Sequence, residues 1–138
     1  MKRIILLTLL CTTTILMAQR INHIQEAIAD YDYETALILI AKEKTTIPLL
    51  LQKGKAQRGL GLNAEALSTY QEIIANDTAN TRAYIEAAEC CRSLAKNQQA
   101  LKYYEQALDL NPENKYVRIQ YIGLLLSLQK FQEALGES

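Results

Sequence analysis

The pair Ala-Leu stands at Ala66-Leu67, Ala100-Leu101 and Ala134-Leu135, each copy 34 positions after the one before. A constant interval of this size restricts the chain to a stack of like units. One unit is too small to bury its own apolar face and must cover it with a neighbour. Sliding Ile47 to Asn80 over Thr81 to Asn114 also pairs Tyr70 with Tyr104, Ile73 with Ala107 and Ile74 with Leu108. All three pairs face inward if the segments are helical. The period therefore predicts an all-α stack of helix-turn-helix repeats. Helices are expected near 20–29, 33–44, 47–60, 63–76, 81–94, 97–110, 115–128 and 131–136.

Thr81 to Asn114 is the best-formed copy. Tyr84, Ala87, Ala88, Ala100, Tyr104, Ala107, Leu110 and Pro112 fall at positions where the chain resembles a tetratricopeptide-repeat protein. Ile47 to Asn80 keeps Gly54, Gly61, Ala66 and Tyr70, and the copy from Lys115 onward keeps Phe131, Ala134 and Leu135. A degenerate copy over about 17–46 precedes these, with Ala36 closer to Ala66 than one full period, so this copy is shortened. The resemblance implies an all-α, right-handed superhelical solenoid domain over 19–138, with repeats at 17–46, 47–80, 81–114 and an incomplete 115–138.

Residues 1–18 read as a secretory leader. Lys2 and Arg3 precede a continuous apolar run from Ile4 to Leu10, and a cleavage point is expected after Ala18. A bilayer span needs ~20 apolar residues, more than the leader supplies, so no membrane span is expected after cleavage. Export to a bacterial periplasm or cell envelope follows as an expectation, with a retained anchor as the alternative. Basic and acidic residues balance at 15 each, and loss of the leader leaves 13 against 15. A balance of this kind offers no basic field for phosphate backbones, and nucleic acid is not an expected partner.

Catalytic, cofactor and metal sites are not expected. Cys90 and Cys91 are adjacent on one helix, where their Cβ vectors diverge, so they read as free thiols in the core. His23 is the only histidine and has no companions for a triad or a zinc site; it reads as a packing residue. Gly54, Gly59 and Gly61 lack phosphate-loop spacing. Gly54 is assigned to the closest approach of two helices and Gly61 to a left-handed turn. Asp32 is expected to cap the helix that begins at Tyr33, and Asp77 or Thr78 to satisfy helix-end groups between repeats.

The resemblance places the first helix of each repeat on a concave groove. Its lining, carried over position by position, is Ile21, Gln25 and Ile28, then Leu51, Lys55 and Arg58, then Arg82, Ile85, Glu89 and Arg92, then Tyr116, Ile119 and Gly123. Ile21, Leu51, Ile85 and Ile119 form one apolar stripe in this register, flanked by Lys55, Arg58 and Arg92. Such a surface suits a peptide with hydrophobic anchors and acidic groups. Gln25, Lys55, Glu89 and Gly123 occupy the site where the family's clamp for C-terminal carboxylates carries asparagine, so that clamp is not expected. The function implied is a non-catalytic protein-interaction scaffold. The alternatives are a docking or sensing arm of a longer exported enzyme or receptor, and a membrane-tethered assembly factor. The last hairpin stops short, leaving Tyr121, Ile122, Leu125 and Leu128 without cover, and a longer parent chain is expected.

Overall fold

The computed structural model describes residues 1–136 and, of their side chains, all but those at 2–4, 6, 9 and 130–136. Seven helices and no strand occur among the described residues: α1 (Lys2–Ala29), α2 (Tyr33–Ile40), α3 (Ile47–Gly59), α4 (Asn63–Asn76), α5 (Thr81–Ser93), α6 (Asn97–Leu110) and α7 (Lys115–Gly136). Each helix packs on its chain neighbours, as expected of an all-α solenoid of paired helices.

Local chemistry sets the boundaries. The Asp32 side chain accepts from the Thr35 N–H at 3.1 Å and opens α2. Asn80 and Asn114, one repeat apart, cap α5 and α7 by accepting from the Ala83 and Val117 N–H groups, each at 3.1 Å. Asp77 accepts from the Ala79 N–H at 3.2 Å and from Asn80 Nδ2 at 3.0 Å, which fixes the turn into α5. Three turns inside hairpins use a left-handed residue, Tyr31 (φ 61°), Gly61 (φ 76°) and Ala95 (φ 58°).

Small residues let each pair close. Ala66 and Ala100 are fully buried, and a Cβ on Gly54 would lie 2.5 Å from the Tyr70 ring. A Cβ on Gly59 would press into the Tyr33 ring, a close approach between α3 and α2 that the spacing argument did not assign. Tyr70 and Tyr104 are the largest fully buried side chains, and the main core runs continuously from Leu50 to Leu124. A second cluster holds Ile24, Ile28, Ala36, Ile40 and Ala56.

The boundaries differ from the expected ones in three places. α2 stops at Ile40, before the expected 44, because Lys42 to Thr46 has no apolar face to bury; the Lys42 and Glu43 N–H groups close the end on Leu39 and Ile40 carbonyls at 3.1 and 3.0 Å. α1 begins at Lys2 and runs unbroken into the first repeat. Its threonine hydroxyls are satisfied inside the helix, as Thr8, Thr13 and Thr14 donate to carbonyls three residues back at 2.9 Å. α7 is one helix where two were expected. Gln129 is in register with the turn residues Gly61 and Ala95, but here the helix continues through it. The side chains of Phe131, Ala134 and Leu135 lie outside the described residues.

Candidate functional site

Helices α3 and α5 bring Lys55, Arg58, Arg82 and Glu86 to one shallow concavity of about 470 Å³, closed at its edge by Tyr33 and Gly59. Lys55 is exposed and has no ion-pair partner among the described residues. Arg58 is half-buried and forms an ion pair with Glu86 of the next repeat. Burial alone would lower its pKa, but Glu86, with smaller contributions from Cys90 and Tyr70, turns the net shift upward and the guanidinium stays charged. Arg82 reaches Glu86 only at 4.0 Å, with 64% of its side chain exposed.

One repeat on, the polar lining is bound to itself. Glu89 Oε1 accepts from the Tyr104 hydroxyl at 2.6 Å and from the Tyr116 hydroxyl at 2.9 Å, joining α5, α6 and α7. Its other oxygen lies 3.7 Å from Arg92, which donates to Gln120 at 2.6 Å. Burial and then the bond to Glu89 push the Tyr104 hydroxyl well above its ordinary pKa, so it remains a donor. Arg92 is held charged, first by its bond to the Tyr104 oxygen.

The four apolar positions read from the register are unequally exposed. Leu51 and Ile85 are half-buried and pack against the core, whereas Ile21 and Ile119 are 42% and 67% exposed. Middle repeats have a neighbour on each side, and end repeats have one. Ile28 is a correction: it is buried with Ala36 and Ile40, and does not line the groove. The apolar character of this side chain turns it toward the short α2, although the register puts it at the position of Arg58. Ile21 and Gln25 line an apolar pocket of about 220 Å³ with Met17, Pro48 and Leu49 between α1 and α3. Tyr116 is 52% exposed, and Gly123 faces open space.

Cys90 and Cys91 are free and fully buried, as read from the sequence. His23 is exposed beside Arg20, Leu39 and Lys42, and is not the packing residue expected. Among the described residues no group of three or more His, Cys, Asp or Glu could hold a metal ion, and no helix is long and apolar enough to cross a membrane. Sequence reasoning missed Glu86 and Gln120, the partners of Arg58 and Arg92. Their own separation by one full period was a signal for them.

No curated protein matches the chain by sequence. Solved structures are similar at the level of fold. The first tetratricopeptide domain of Spaghetti (RPAP3), bound to an HSP90 peptide, has a TM-score of 0.73 at 21% identity, over 78% of this chain and 89% of that one. PcrH of Pseudomonas aeruginosa, in complex with the chaperone binding region of PopB, has 0.68 at 18%, over 78% and 92%. A tetratricopeptide repeat protein from Parabacteroides merdae has 0.74 at 24% identity, over 83% of this chain and 48% of its own length. Two tetratricopeptide-repeat profiles match residues 51–114 and 93–136. With hairpins recurring at a constant interval and buried alanines at equivalent positions, these matches show that the chain belongs to the tetratricopeptide-repeat family.

Proposed function

We propose that the chain is a non-catalytic scaffold that binds a peptide segment of another protein along the first helices of its repeats. The observation that carries this reading is the concavity between α3 and α5, where Lys55 has no ion-pair partner among the described residues and Arg82 only a loose one. The exposed Ile21, Tyr116 and Ile119 flank it. The ligand class is a segment with acidic groups and hydrophobic anchors. The acidic HSP90 peptide of the RPAP3 domain and the PopB segment of PcrH are precedents for peptide capture by this fold. Lys55 and Glu89 stand where a C-terminal carboxylate clamp would need asparagine, which favours an internal segment over a chain end.

Charge reversal of Arg58 and Arg92 would disturb contacts between repeats as well as binding, so Lys55 and Arg82 are the residues to change. The full chain and K55E/R82E are compared on arrayed peptides that combine leucine or phenylalanine with glutamate or aspartate. Binding by the parent and its loss in the variant, at an unchanged melting temperature, is the expected result. Equal binding by both removes the groove from consideration.

On this reading the scaffold works in an exported compartment, the bacterial periplasm or cell envelope, with residues 1–18 as a cleaved leader. What supports this is that every described side chain before Ile24 is exposed, so cleavage after Ala18 would leave all the buried residues in place. A membrane-tethered assembly factor is the same scaffold with its leader retained. Mass spectrometry of the native N-terminus separates the two.

A further inference from the structure

In the second and third repeats, the first helix buries two positions against the second helix of its own hairpin. Gly54 meets the Tyr70 ring, and Gln57 accepts from Thr69 Oγ at 2.8 Å; both partners are on α4. Their equivalents one period later, Ala88 and Cys91, are fully buried. The next equivalents are Ile122 and Leu125 on α7, and these are 48% and 40% exposed. Two apolar side chains therefore stand uncovered where the repeat rule places a second helix.

The sequence contains that helix. Ala134-Leu135 is in register with Ala66-Leu67 and Ala100-Leu101, whose side chains are buried in their own hairpins. The backbone of α7 runs straight to Gly136, with no left-handed residue at 129. At ~1.5 Å rise per residue, residue 135 is carried on the order of 15 Å along the axis beyond Leu125. A single copy with a straight α7 cannot lay this segment on its own Ile122 and Leu125.

We infer that a second copy of this chain covers the face, in a reciprocal exchange. Residues 130–136 of each copy lie antiparallel across Ile122 and Leu125 of the other, filling the place of the missing second helix. The exchange is closed and two-fold, because each α7 both gives a segment and receives one. The occupant is argued from register: it is the segment whose Ala-Leu pair this fold buries at that position in two other repeats.

The test measures the mass of the full chain by light scattering across micromolar concentrations, with L125E, L135E and Q129G. A reversible dimer is expected for the parent. L125E changes the receiving face and L135E the exchanged segment; each should raise the dimer Kd by about tenfold or more while far-UV circular dichroism stays helical. Q129G supplies the turn residue that Gly61 provides earlier, and should yield a monomer whose amides near Leu125 remain protected from hydrogen exchange. A monomeric parent overturns the inference. So does a dimer lost in L125E but kept in L135E, which would mean that another segment, such as the apolar start of α1, sits on the face.

Discussion

Arg58 of α3 forms an ion pair with Glu86 of α5, and one period later Arg92 of α5 makes the same reach to Gln120 of α7. Each arginine finds its partner 28 residues on, in the first helix of the next repeat. The contact is thus a rung between repeats, and it fixes how neighbouring hairpins sit on one another. With both side chains of the first rung a third exposed or less, R58A should cost roughly 1 kcal/mol in urea denaturation. A double-mutant cycle of R58A and E86A should give a favourable coupling that shrinks with added salt. Additive single effects would show that the pair contributes nothing.

Gly54 and Tyr70 make a second close relationship, since a Cβ at 54 would press on the Tyr70 ring at 2.5 Å and on its hydroxyl at 2.8 Å. G54A should destabilise the fold by ~1–3 kcal/mol through overpacking. In the background of Y70L, which lacks the ring, the same substitution should cost less. Full tolerance of G54A in thermal melts would mean that α3 and α4 are further apart than this geometry.

The left-handed turns allow a test of opposite sign. Gly61 has φ 76° and nothing within 4 Å of a built Cβ, so G61A is penalised by backbone strain alone, by about 1 kcal/mol. Ala95 pays that strain already at φ 58°. A95G should therefore leave stability unchanged or raise it by up to ~1 kcal/mol, the relief of strain being partly offset by the larger entropy of the unfolded chain. Chemical denaturation of the two variants side by side checks the sign.

The interval between Ala66 and Ala100 was enough to place α3, α4, α5 and α6 to within a residue, because in a stack of equivalent hairpins one register fixes the next. Gly54, Gly61, Asp32, Cys90 and Cys91 were legible for local reasons: closest approach, positive φ, a cap and small apolar volume. Arg58 and Arg92 were placed on the groove without their partners, because these are polar residues in the next repeat and a position-by-position transfer asks only which way a side chain points. Ile28 was misplaced because the first repeat is shortened and its α2 is only 8 residues long, which alters what its first helix must cover. The unbroken α7 was illegible for a related reason. The register supplies a turn position at Gln129, but Ala95 turns in the same register without glycine, so the residue at that position does not by itself decide between turn and helix.

Cys90 supplies the pH dependence. Burial pushes its thiol up to about 11 from 9.0, and the nearby Arg58 only partly counteracts this. A raised folded-state pKa means that the folded protein holds the proton more tightly than the unfolded chain. The contribution is therefore complete below about pH 9 and is lost as pH rises through 11. Over that window C90A should show a shallower fall in stability than the parent, by on the order of 2 kcal/mol, once its loss of packing at neutral pH is subtracted. Tyr70 and Tyr104, also held protonated by burial, act in the same direction at still higher pH and persist in C90A. The same environment makes the thiolate rare, so at neutral pH a thiol reagent should modify exposed Cys11 and spare Cys90 and Cys91 until the chain unfolds. Labelling one thiol in the intact chain, and none in a chain that begins at Gln19, would agree with both the burial and the exposed leader. Rapid modification of Cys90 in folded protein would contradict the core packing of α5 and, with it, the alkaline window.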